Sequence, residues 1–450
     1  MDIQIFIEDT LNTISNWIWG YPLILLLLGT HIYLTIRLGF IQRKLPLAIR
    51  LSFAKERELP GEVSHFGALS TALAATVGTG NILGVATAIS LGGPGAVFWM
   101  WITGVFGFAT KYAEAVLSIK FRVQNEKGEY VGGPMYVLEK GLGLKILGIA
   151  FAIFTIIASF GIGNMVQSNA ISNMIYENTG AKPILIGIIL TFLTGMVIIG
   201  GIKSISKFCT LLVPFMVIFY LLGCLFLLAL NASNIPHSIY LILTTAFTGQ
   251  SAIGGFVGAT ISNAIRYGVA RGLFSNEAGL GSAPIVASAA KTAHPAHQGL
   301  VSATGTFWDT VVVCFITGLT LVATNSWTET SSSVEMVKLA WEKIGNLGKF
   351  IMITSLATFV YSTILGWAYY GEKAWEYLLT SKTISIYRIL WLVGVFIGAQ
   401  VKLNIVWTFA DISNALMALP NLLTLLLLTP LIIKETKIFS KSIDKKNSNS

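Results

Sequence analysis

The chain has 450 residues, of which 54% are hydrophobic and only 11% charged, with a formal net charge of +9. Soluble globular proteins carry about 25% charged residues, so the composition excludes a soluble fold and fits an all-α polytopic membrane protein. The basic excess falls in short loops between apolar runs, which excludes nucleic acid as a partner and matches control of membrane topology.

In chain order, apolar run length predicts about eleven spans, near 20–40, 66–90, 94–118, 145–172, 183–201, 207–230, 236–266, 300–324, 347–378, 384–401 and 404–433. Asp2, Glu8 and Asp9 replace the basic start of a cleavable signal, so the first span is expected to be the insertion signal. The stretch from Ile41 to Lys55 is basic and amphipathic, as an interfacial connector is. The polar loop Asn325–Lys349 has room for a short helix, and the Lys-, Ser- and Asn-rich residues 434–450 are expected to be a disordered cytoplasmic tail. Cys209, Cys224 and Cys314 lie in or beside apolar runs without a CxxC spacing or a His/Cys cluster, so no zinc site or disulfide framework is predicted.

The basic residues set an orientation. With an odd number of spans and a cytoplasmic C-terminus, the N-terminus is outside. Most of the 30 Lys and Arg then fall inside, among them Arg37, Arg43, Lys44, Arg50, Lys120, Arg122, Lys203, Arg266, Arg271, Arg388 and Lys434. Only Lys182, Lys338, Lys343, Lys349 and Lys402 fall in outer loops. Residues 1–433 read as one transmembrane domain. With residues 20–40 set aside as an accessory helix, two sets of five spans remain, at 66–230 and 236–433. Five is odd, so the sets run in opposite senses, an inverted repeat.

An interrupted span opens each set. The first interruption is Thr76-Val77-Gly78-Thr79-Gly80-Asn81. Unwinding there frees amides for a carboxylate and carbonyls for a small cation, while small residues also serve helix packing. The second is placed at Phe247-Thr248-Gly249-Gln250-Ser251-Ala252-Ile253-Gly254-Gly255, where carbonyls can accept from an ammonium group between the apolar walls Phe247 and Ile253. Hydrocarbon offers no hydrogen bonds, so such backbone lines a wet cavity or is buried in protein. Gln167 is an amide in an apolar span, suited to a ligand or to helix cross-linking. Thr363 and Trp367 share a helix face, with Ser362 adjacent. Asp309 and Asp411 are each a candidate for cation or proton coupling, or for structural pairing. Glu114, three residues after Lys111, reads as an intrahelical ion pair. No phosphate loop, nucleophile elbow or zinc-peptidase spacing occurs, so the chain is read as no enzyme and no cofactor is expected.

Gly92-Gly93-Pro94-Gly95-Ala96-Val97-Phe98-Trp99-Met100-Trp101-Ile102, preceded by Ala74 to Asn81, closely resembles the alanine or glycine:cation symporter family. Gly132-Gly133-Pro134-Met135-Tyr136 and Asn276-Glu277-Ala278-Gly279-Leu280-Gly281 resemble it too, and the likeness runs from Phe66 to Ile432. The resemblance implies a leucine-transporter-type 5+5 inverted repeat with one extra N-terminal helix, in a plasma membrane. It implies sodium-coupled symport of a small neutral amino acid, alanine or glycine. It would set the substrate carboxylate on Thr79, Gly80 and Asn81 with Gln167, and the ammonium near Phe247, Gly249 and Ile253. Trp367 would cap the pocket, and sodium would lie among Ala74, Val77, Ser362 and Thr363. A proton-coupled transporter of the same fold, or a membrane receptor or enzyme, is the alternative.

Overall fold

The computed structural model describes residues 10–248 and 260–448, except 12, 16, 55–58, 402 and 403. Among these, regular structure is helical apart from one two-stranded antiparallel hairpin, Val123–Gln124 with Tyr130–Val131. Five helices are long and apolar enough to cross a membrane, or eight if each of three bent pairs is one span. Side chains on the outside are apolar: Ile188 and Phe192, Leu211 and Phe215, and Ile389 are all exposed. That inversion of the soluble pattern marks a lipid-facing belt.

Helix α1 (Tyr21–Arg37) leads into a connector that ends in α2 (Leu45–Ser52), bent 67° from it. The first broken span comprises α3 (His65–Thr76) and α4 (Gly80–Gly92), bent 55°. Helices α5 (Gly95–Lys120), α6 (Lys145–Thr179), α7 (Pro183–Ile198) and α8 (Gly201–Leu230) follow. After α9 (Ile235–Thr248) come α10 (Ile261–Asn276) and α11 (Pro295–Ala323). The outer loop carries α12 (Ser333–Glu342), and the chain continues with α13 (Gly345–Leu378), α14 (Ile384–Gly398), α15 (Asn404–Leu427) and α16 (Thr429–Ser448).

Three expectations change. The described residues contain a break at Glu277–Ser282 that was not expected, while of the expected Phe247–Gly255 break only the end of α9 at Thr248 is described and residues 249–255 lie outside the described residues. At the observed break Glu277, Gly279 and Gly281 have φ of 55°, 89° and 84° before a short turn, Ala283–Ala287. Helix α9 lies beside α5: Trp99 Nε1 donates to Ala246 O at 3.0 Å, and a Cβ on Gly95 would strike Thr245 and Ala246 backbone. Secondly, Arg266 and Arg271 are not in an inner loop. They belong to α10, whose start meets α1 through a Tyr21–Ser262 hydroxyl contact at the predicted outer end. Their charge made a helix look like a loop.

The third concerns the tail, which is helical in α16. Glu435 pairs with Lys120 at 2.9 Å, Thr436 bonds Tyr112 at 2.8 Å, and the Phe439 ring packs on His294 and His297. Composition alone misjudged it because its apolar face, Ile432 and Phe439, finds a buried seat.

Candidate functional site

At the first break Val77 is extended, with φ −77° and ψ 92°, so α3 stops at Thr76. Helix α4 restarts in a wide π-turn over Gly80–Gly84, and such turns concentrate at functional sites. Asn81 closes the gap: its Oδ1 accepts from Gly78 N at 2.9 Å. Its Nδ2 donates to Asp309 Oδ1 at 2.7 Å and to Asp309 O at 3.2 Å. Ser275 Oγ and Thr310 Oγ1 also donate to Asp309, at 2.8 and 2.6 Å. Asp309 thereby ties α4 to α10 and α11.

Helix α13 presses on the same break. Ser362 Oγ lies 3.1 Å from Ala74 O and 3.4 Å from Val77 O. Thr363 Oγ1 donates to Phe359 O at 3.0 Å, and a Cβ on Gly78 would come within 2.4 Å of that hydroxyl. Glycine at 78 is what lets the two approach. The expected sodium ligands Ala74, Val77, Ser362 and Thr363 thus lie together, carbonyls from one helix facing hydroxyls from another, the hard-oxygen set an alkali cation takes.

Above them opens a cavity of about 400 Å³, within the range of small-molecule sites. Thr79, Gly80 and Phe274 are in its wall, with Arg271, Asp411 and Ser15. Gln167 Nε2 donates to Thr79 Oγ1 at 3.3 Å and to Ile162 O at 3.0 Å, while its Oε1 has no partner. A Cβ on Gly80 would touch Phe274 and Ser275, so the start of α4 and the end of α10 meet here. A helix start offers unsatisfied N–H groups and a positive dipole end, and a helix end offers carbonyls and a negative one. That juxtaposition suits a zwitterion.

Several expected residues are elsewhere. Asn81 is fully buried and spends its carboxamide on Gly78 and Asp309 rather than lining the cavity. Phe247 is 56% exposed and packs edge-on against Phe98 and Trp99, because α9 is peripheral. Trp367 is buried against Gly163 and Tyr370, its indole reaching the Glu277 carboxyl, and does not line the cavity. Gly249 and Ile253 lie outside the described residues. Sequence reasoning missed Arg271, Phe274 and Ser275. The signal was available in the motif that follows them, Asn276 to Gly281, whose spaced glycines end a helix at depth.

The second break is held by charge. Glu114 Oε1 accepts from Gly279 N at 3.0 Å, Gly281 N at 3.1 Å and Asn421 Nδ2 at 2.7 Å. Asn421 also donates to Gly279 O at 2.9 Å, and Ser282 Oγ bonds Glu277. Glu114 therefore does not form the expected intrahelical pair, since Lys111 Nζ has no hydrogen-bond partner. Asp411, the other weighed acid, sits in the cavity wall near Arg271, with Trp19 Nε1 donating to its backbone oxygen at 3.0 Å.

The profile of the sodium:alanine symporter family matches residues 4–450. The sodium/alanine symporter AgcS of Methanococcus maripaludis is 51% identical, over 96% of each chain. The probable sodium/glutamine symporter GlnT of Bacillus subtilis is 36% identical, over 98% of this chain and 92% of its own. The crystal structure of MhsT in complex with L-phenylalanine superposes with a TM-score of 0.57, covering 85% of this chain and 99% of that one, at 14% identity. The fold is thus the leucine-transporter type, and the chain is a multi-pass membrane protein, a transporter and not an enzyme. By profile and by identity over nearly its full length, the chain belongs to the sodium:alanine symporter family.

Proposed function

We propose that this protein carries small neutral amino acids, alanine and glycine, together with sodium across the plasma membrane by alternating access, with its N-terminus outside. The observation that carries the reading is the meeting of Ala74 and Val77 carbonyls with Ser362 and Thr363 hydroxyls, directly beneath Thr79 and Gly80. The substrate carboxylate takes the amides at the start of α4 and the Gln167 amide, and the ammonium takes carbonyls at the end of α10, near Phe274 and Ser275. This replaces the ammonium position expected around Phe247, Gly249 and Ile253, and makes Phe274 the wall that limits side-chain size. Asn81 acts as a positioning residue that shapes the break.

Sodium fixes Ala74 and Val77, which fixes the geometry of Thr79 and Gly80, so each ligand lowers the cost of binding the other. An inward-negative potential contributes about 2.3 kcal/mol per charge per 100 mV. Binding and release then alternate as the broken helices rock against the remaining bundle. The named activities of AgcS and GlnT support sodium as the coupling ion. Proteoliposomes holding the full chain are expected to take up labelled alanine under an inward sodium gradient. Equal uptake with potassium in place of sodium would refute the coupling.

A further inference from the structure

We propose that Lys111, Glu114 and Glu277 form a proton-binding site at the second break, distinct from the sodium position at the first. Four buried polar atoms around this break lack a hydrogen-bond partner: Lys111 Nζ, Glu114 Oε2, the Tyr370 hydroxyl and His31 Nε2. Lys111 acts electrostatically on Glu114, Glu277 and Asp309, and Glu277 and Glu114 act on Tyr370. A Cβ on Gly279 would lie 3.6 Å from the His31 ring. An ammonium needs acceptors, a carboxylate oxygen needs donors, and the phenol and imidazole accept either.

Charge makes this buried cluster a proton site. Lys111, Glu114, Glu277 and Asp309 are at most 3% exposed. With Asp309 met by its own donors, one ammonium faces the two carboxylates Glu114 and Glu277, and unbalanced charge at such depth is not sustained. His31 already spends Nδ1 on Thr110 at 2.8 Å, and Asn421 is neutral. Asp309 is already met by three side-chain donors, from Asn81, Ser275 and Thr310. Among the described residues no group of three or more His, Cys, Asp or Glu is placed to hold a metal ion. The missing positive charge is a proton taken from water, which turns a carboxylate at Glu114 or Glu277 into a carboxylic acid.

That proton reaches the backbone directly. Glu114 Oε1 holds the Gly279 and Gly281 amides, and a protonated carboxyl accepts more weakly. Glu277 is the first residue of the break, and its carboxyl touches Ser282 and Trp367. Protonation therefore alters the end of α10 against which the substrate sits. Glu114 and Glu277 act here as positioning residues.

The proposal rests on the transport reading above, and one assay separates the two. Full-length protein in proteoliposomes is assayed for labelled alanine uptake at saturating sodium across about pH 5.5 to 8.5. The wild type is expected to change its apparent KM about tenfold, the effect of a one-unit shift in a coupled pKa. Glu277→Gln and Glu114→Gln should each flatten that to under about twofold while uptake still requires sodium, and Glu335→Gln, on the outer-loop helix α12, should keep the wild-type profile. A pH-independent wild-type KM, or wild-type profiles in both glutamine variants, overturns the proton site. Loss of the sodium requirement in the wild type overturns only the symport reading. Calorimetric alanine binding to the wild type in two buffers of different ionisation enthalpy needs no variant. A buffer-dependent heat supports the site, and a buffer-independent heat overturns it.

Discussion

The two breaks solve the same problem by different means. At the first, uncharged groups complete the backbone: the Asn81 carboxamide takes Gly78 N, and the Ser362 hydroxyl meets the Ala74 and Val77 carbonyls. At the second, a single carboxylate oxygen of Glu114 takes two backbone amides and the Asn421 amide. Charge-assisted bonds are roughly twice as strong as neutral ones. The second break is accordingly built into the protein, whereas the first keeps carbonyls for a cation and a helix start for an anion. In a membrane, unwound backbone marks a ligand site only where the protein's own side chains have not already consumed it.

Breaking the charged anchor gives the largest expected effect. Glu114→Ala leaves the Gly279 and Gly281 amides and the Asn421 amide without their shared acceptor, at a cost of about 3–5 kcal/mol. It should abolish the monodisperse folded peak in detergent, and a wild-type melting temperature would show that the second break does not depend on Glu114. Next, Gly78→Ala puts a methyl group within 2.4 Å of Thr363 Oγ1 and pushes α13 off the break. The sodium concentration for half-maximal uptake should rise about a hundredfold, or about 2.7 kcal/mol. Ser362→Ala removes one oxygen without displacing the helix, and should raise it about tenfold. An unchanged sodium titration for both would break the comparison at the first site.

Two smaller substitutions sharpen the location of the pocket. Phe274→Ala should let leucine compete with alanine about tenfold better, as lost pocket wall is worth about 1–3 kcal/mol of discrimination. Phe247→Ala, on the exposed α9, should alter alanine uptake by less than about twofold. The reverse ranking would return the ammonium site to the Phe247–Gly255 stretch.

Much of this was legible in the sequence. Gly78 and Gly80 inside an Ala- and Thr-rich apolar span announced the first break, and the hydroxyl pair Ser362–Thr363 announced its neighbour. The second break was hidden because apolar run length assumes a helix faces lipid. Helix α10 faces a cavity, so Arg266 and Arg271 made it look like a loop, while the glycines after Phe247 drew attention away from Gly279 and Gly281. Lys111 and Glu114 were visible as a spacing three apart, but a spacing cannot show that Glu114 turns to another helix's backbone. Trp367 shares a helix face with Thr363, yet its ring goes to Gly163 and Tyr370, a packing choice that a one-helix view does not contain.

The most direct test is the dissociation constant of alanine for the purified full-length protein as potassium replaces sodium at constant ionic strength. If sodium organises Ala74 and Val77 beneath the substrate, alanine binds the wild type at least about tenfold more tightly in sodium, and a Ser362→Ala/Thr363→Ala protein binds it equally in both salts. Equal affinity in both salts for the wild type, or a sodium effect that survives the double substitution, would contradict that arrangement.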